Sequence, residues 1–160
     1  MERIIKKYSF ENPHLQLWIM LGQTNDVLHK VRERRLAKYG ITASQATVVF
    51  VINALDDNAT INEISTWVFR EPHSISSILK TMERNGLIEK EKRPSNKGGA
   101  IVHLTKKGKA IYKKMENMKF FVDILSCLSE EERKNLESYL KKLSEKAIHH
   151  LAELKYAPYL

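Results

Sequence analysis

Residues 61–112, INEISTWVFREPHSISSILKTMERNGLIEKEKRPSNKGGAIVHLTKKGKAIY, decide the fold of this 160-residue chain. Two short amphipathic helix signals, a basic hairpin and a third helix start follow one another in them without a gap. Thr60-Ile61-Asn62-Glu63 is a capping box, in which hydroxyl and carboxylate satisfy each other's orphan backbone N–H groups, and Ile61, Ile64 and Val68 follow at helical spacing. The next helix is expected to begin at Pro72, whose fixed φ suits the first helical position.

In that helix Ile75, Ile78, Leu79 and Met82 fall at i, i+3, i+4 and i+7, one apolar stripe that must pack on the rest of the domain. His73, Ser77, Lys80 and Arg84 lie on the opposite face. Ser76 and Thr81 flank it, and with Ser74 they supply short hydroxyls able to bond phosphates or base edges. Asn85-Gly86 stops the helix. Leu87 to Arg93 reads as an exposed strand, Pro94-Ser95-Asn96-Lys97-Gly98-Gly99 supplies a turn, and Ala100 to Leu104 returns. Lys92, Arg93 and Lys97 stand near the hairpin tip, where cations can meet phosphates or enter a minor groove.

Upstream, Thr42-Ala43-Ser44-Gln45 is another capping box, opening a helix through about Leu55 that Asp56-Asp57-Asn58-Ala59 breaks. Leu15 to Lys38, apolar at Leu17, Trp18, Leu21, Leu28 and Val31, fits one long helix ending at Tyr39-Gly40. Downstream, Ile111, Met115, Met118, Val122 and Leu125 step by four, three, four and three, a heptad-like seam. Ser129-Glu130-Glu131-Glu132 then caps a further helix carrying Leu136, Leu140, Leu143 and Ala147.

The expected fold class is mainly α with a small β-hairpin wing (α+β): a winged helix-turn-helix with N- and C-terminal dimerisation helices. A single domain is expected over 1–160, with dimerisation helices at 1–40 and 106–160 and the DNA-binding lobe at 41–105. The terminal helices hold more apolar surface than a small winged domain can cover, which argues for a homodimer. Two recognition helices set about 34–36 Å apart would then predict a pseudo-palindromic operator.

Charge is uneven along the chain. Residues 61–114 carry 12 Lys or Arg against 5 acids, a net of +7, so nearly all of the overall +8 sits in the winged segment. That concentration suits a polyanionic partner, double-stranded DNA, as well as a solvated lysine face. Hydrophobic residues at 42% with charged residues at 29% fit a globular chain rather than a disordered one. The longest apolar run, Ala46 to Leu55 interrupted by Asn53, is short of the roughly 20 residues of a bilayer span. Met1-Glu2-Arg3-Ile4-Ile5-Lys6-Lys7 lacks the apolar core of a secretory signal. A cytoplasmic protein with no membrane partner is expected.

The chain resembles the MarR family of bacterial and archaeal transcriptional regulators. The resemblance is carried by Ile41-Thr42-Ala43-Ser44-Gln45, Glu63-Ile64-Ser65, Ser74-Ile75-Ser76, Met82-Glu83-Arg84-Asn85-Gly86-Leu87-Ile88 and Leu104-Thr105-Lys106-Lys107-Gly108, in that order and spacing. It covers about Ile41 to Tyr112 at motif level and both ends more loosely. The resemblance implies terminal helices that intertwine across a two-fold axis, and a small-molecule effector bound between the dimer helices and the DNA-binding lobe. Trp18, Met20, His29 and Trp67 are available to such a cleft; each is read as core or interface, and no ligand residue is named. The family's wing usually holds an Asp and, two positions later, an Arg. Here those positions match Asn96 and Gly98, with Lys97 the only cation between them, a looser point charge without the planar fork of Arg.

Chemistry beyond binding finds little support. Cys127, the only cysteine, sits among Ile124, Leu125 and Leu128 and reads as a buried structural thiol. His149 and His150 are adjacent on a helix and point apart, and Glu145 with His149 is one pair without further ligands. No Gly-rich phosphate loop or nucleophile elbow is present. No cofactor, metal or enzymatic activity is expected. The leading reading is a homodimeric sequence-specific DNA-binding regulator, a repressor released by an effector. The alternative is a winged-helix protein-interaction module without specific DNA binding.

Overall fold

The computed structural model describes residues 11–92 and 100–156. They belong to two compact units that divide between Asn117 and Met118.

The first unit opens with α1 (Pro13–Ala37), whose first N–H groups are taken by the side chain of Asn12. Gly40, at φ +69°, turns the chain into α2 (Ala43–Ala54). Both bonds of the Thr42–Gln45 capping box form, at 3.0 and 3.1 Å. Glu33 reaches across from α1 to accept the Ala43 N–H at 2.8 Å, so one helix caps the next. Along α2, Ala46, Val48, Val49, Val51 and Ile52 are buried, and the helix packs on every other helix of the unit and on the sheet.

β1 (Ala59–Thr60), α3 (Ile61–Val68), α4 (Pro72–Arg84), β2 (Ile88–Lys92), β3 (Ala100–Leu104) and α5 (Lys106–Glu116) follow. The Thr60–Glu63 box caps α3 as its residues require. Ile64 of α3, the stripe Ile75, Leu79 and Met82 of α4, and Leu87, Ile88, Val102 and Leu104 are all buried where α3, α4 and the sheet pack together, and Ile78 is half-buried. The sheet is antiparallel in the order β1-β3-β2. It therefore has one strand more than the expected hairpin. Asp56 and Asp57, both left-handed at φ +54° and +59°, swing the chain so that Ala59 and Thr60 lie opposite Val102 and Ile101.

Two expectations change at the C-terminal side. The heptad-like spacing does not make one seam: α5 ends at Glu116, and Ile111 and Met115 are buried in the first unit's core. Core packing, the simplest use of an apolar residue, claims that half of the pattern. In the second unit, α6 (Phe120–Leu125) and α7 (Glu130–Tyr156) are joined by a turn where Ser129 and Glu132 cap each other at 2.7 and 3.2 Å. Arg133 donates to the carbonyl of Leu128 at 2.5 Å. Cys127 is exposed rather than buried, because this two-helix unit has no second layer of its own to cover it.

Among the described residues no helix is long and apolar enough to cross a membrane. Large apolar side chains nonetheless stay exposed along α1 (Leu17, Trp18, Leu21, Leu28) and along α7 (Leu136, Leu140, Leu143, Leu151). Trp18 is 75% exposed, and Met20, His29 and Trp67 are not buried either, so none of the four is core within one chain.

Candidate nucleic-acid interface

α3 and α4 are joined by a tight turn. Phe69 caps α3 in the left-handed conformation at φ +52°, the hydroxyl of buried Ser65 donates to the carbonyl of Arg70, and the Arg70 N–H donates back to the Ser65 carbonyl at 3.1 Å. Pro72 then starts α4 with no side-chain cap. A strongly two-faced helix follows because Ile75, Leu79 and Met82, spaced at helical period, are drawn into one core with Ile78 at its edge.

His73, Ser77, Lys80 and Arg84 fall within about 60° of arc directly opposite Ile75. All four are exposed, and the three basic ones have no ion-pair partner among the described residues. The flanking hydroxyls are partly occupied: Ser76 donates to the Pro72 carbonyl at 2.9 Å, Ser77 to His73 at 3.1 Å and Thr81 to Ser77 at 3.3 Å. Each keeps an acceptor lone pair for a new partner. Ser74 and Thr81 are half-buried, at the margins of the face.

The helix is braced from behind. Glu83 pairs with Lys90 of β2 at 2.7 Å, which removes Lys90 from the free cations. Gly86, at φ +68°, turns the chain; its carbonyl accepts from the Thr105 hydroxyl at 2.6 Å and the Asn85 carbonyl accepts from Lys107 at 2.9 Å. The Thr105-Lys106-Lys107-Gly108 stretch thus clamps the exit of α4 while capping α5, where Thr105 accepts the Gly108 N–H at 3.1 Å. Lys92 ends β2 exposed, and Arg93 and Lys97 lie outside the described residues. Among the described residues no group of three His, Cys, Asp or Glu is arranged to hold a metal ion; His149 and His150 both turn to Glu153, at 3.1 and 3.0 Å.

Residues 41–108 match the family described as winged helix DNA-binding domain. Over 108 residues, 66% of this chain and 71% of the other, the chain is 30% identical to the HTH-type transcriptional regulator MgrA of Staphylococcus aureus. It superposes on a mutant MarR from E. coli complexed with operator DNA with a TM-score of 0.76 at 22% identity, over 85% of this chain and 99% of that one. The chain belongs to the MarR family. A TM-score of 0.77 at 20% identity, over 88% and 86% of the chains, relates its fold also to the organohalide-sensing regulator RdhR in a form bound to 2,4-dichlorophenol.

As a MarR-family protein, the chain is a DNA-binding transcriptional regulator, of a family that is not enzymatic. Its α3–turn–α4 segment is the helix-turn-helix and its β2–β3 hairpin the wing. Arg70 escapes a reading based on α4 alone. It is exposed two residues before Pro72, with Nη1 3.1 Å from the Ser44 hydroxyl at the start of α2. The signal available for it was a cation immediately before a helix-starting Glu-Pro pair.

Proposed function

We propose that this MarR-family protein is a homodimeric, sequence-specific binder of double-stranded DNA that represses transcription in the cytoplasm by occupying pseudo-palindromic operators. The observation that carries the reading is the free polar face of α4, where His73, Ser77, Lys80 and Arg84 stand exposed while the opposite face is locked into the core. Such a face reads base edges and phosphates without any repacking of the domain. Ser74, Ser76 and Thr81 border it, and Lys92, Arg93 and Lys97 supply the wing's cations. Lys97 takes the place of the family's wing arginine as a point charge.

Homodimerisation through 1–40 and 106–160, around the lobe at 41–105, is supported by the apolar rows left open on α1 and α7. A small-molecule effector that releases the operator is supported by the ligand-bound state of RdhR.

Selection of duplexes from a randomised pool at near-physiological salt tests the reading. The expected product is a two-fold-related site with half-sites about one helical turn apart, bound roughly a thousandfold or more over a scrambled duplex. Recovery of no enriched sequence would sink it in favour of a winged-helix protein-interaction module.

A further inference from the structure

We propose that Arg70 is a DNA-phosphate contact, held in place by Ser44 and Ser65, which sets the approach of α4 to the duplex; this rests on the DNA-binding reading above. Arg70 is anchored at both ends. Its backbone N–H and carbonyl are each bonded to Ser65, a buried residue of α3, and its guanidinium donates to the hydroxyl of Ser44 on α2. An exposed arginine ordinarily samples many rotamers. This one is directed to one place by residues from two helices, without a carboxylate partner among the described residues.

One N–H of a guanidinium engaged by Ser44 leaves the remaining donors of a fork that matches phosphate oxygens. The position is also suitable. When the second helix of a helix-turn-helix enters a major groove, the segment just before it meets the backbone that borders that groove. A contact there fixes register and orientation while carrying no sequence information of its own. Arg70 and the α4 face therefore divide the work, Arg70 holding the backbone and His73, Ser77, Lys80 and Arg84 facing the bases.

The test measures affinity against salt for wild type, Arg70→Gln, Arg70→Lys and Ser44→Ala on the selected duplex and on a scrambled one. Arg70→Gln keeps a polar side chain but no charge, and is too short to hold the Ser44 hydroxyl as Nη1 does. It is expected to flatten the slope of log affinity against log salt by about 0.9 for each phosphate no longer neutralised, about 1.8 for a two-fold dimer, with the ratio between the two duplexes unchanged. Arg70→Lys is expected to keep the slope and bind several-fold more weakly, and Ser44→Ala to behave as Arg70→Lys does. A wild-type slope in Arg70→Gln, with a lowered melting temperature, would make Arg70 a structural staple and overturn the proposal. Wild type failing to bind either duplex would instead defeat the DNA-binding reading on which it rests.

Discussion

Lys109 places its ammonium 2.6 Å from Oδ2 of Asp57, while Oδ1 of the same carboxylate accepts the Leu104 N–H at 2.5 Å. The backbone carbonyl of Asp57 meets Nδ1 of His103 at 2.5 Å. One residue in a left-handed turn thus ties the end of α2 to the wing strand β3 and to α5, and Asp is among the few side chains that tolerate that conformation.

Asp57→Ala is expected to destabilise the first unit by about 2 kcal/mol, the size of a hydrogen bond to a charged acceptor. Lys109→Met is expected to cost less than about 1 kcal/mol, because the lysine is more than half exposed. Denaturant unfolding of the two variants checks the order, and equal effects would mean that the ion pair, not the Leu104 bond, carries the contribution.

Gly108 sits inside α5, where alanine ordinarily stabilises a helix by about 1 kcal/mol. Here a Cβ would be driven into the backbone carbonyl of Leu87, with the Leu104 side chain also close, at 3.2 Å. Backbone cannot rotate away as a side chain can. Gly108→Ala is therefore expected to destabilise by about 1–3 kcal/mol, as overpacking does. A rise in unfolding midpoint would show that α5 shifts freely.

Lys80→Ala and Arg84→Ala remove exposed cations that hold nothing together in the described fold. Each is expected to weaken binding to the selected duplex with the melting temperature and oligomeric state unchanged. A bidentate base contact is worth about 1–3 kcal/mol, roughly 5- to 150-fold in affinity. Whichever variant binds like wild type does not belong to the DNA face.

The Glu132 carboxyl is held below the usual carboxylate range, first by the Ser129 N–H and then by its hydroxyl. A depressed value in the folded state means that this cap stabilises the start of α7 fully above the unfolded pKa. The contribution is lost as pH falls through the folded value. Amide exchange in the first turn of α7 should accelerate in acid beyond the intrinsic rate change, and Glu132→Gln should abolish that excess. Identical pH profiles for the two would show the cap to be without effect.

Much of the fold was legible because it is written locally. Thr42 with Gln45, Thr60 with Glu63 and Ser129 with Glu132 each satisfy backbone groups within one turn, so three residues of separation suffice to recognise them. The two faces of α4 were equally plain, since the period of its apolar residues separates core from surface. The third strand was not legible. Ala59 and Thr60 have no strand pattern of their own and become one only through pairing with Val102 and Ile101. The tie between Arg70 and Ser44 was likewise not legible, because the two lie 26 positions apart in sequence.

The sequence by itself determined where helices start and stop, which face of α4 is apolar and where positive charge concentrates, all properties of neighbours within about two turns. Only the tertiary structure decided which partners the remaining groups take. It assigned Ile111 and Met115 to a core that the same periodicity had linked to Val122, which is 72% exposed. It withdrew Lys90 into a pair with Glu83 and left Lys80 and Arg84 without an ion-pair partner among the described residues. The physical reason is common to all of these. Burial and ion pairing are settled by contacts between segments far apart in the chain, and local spacing carries no information about which segments will meet.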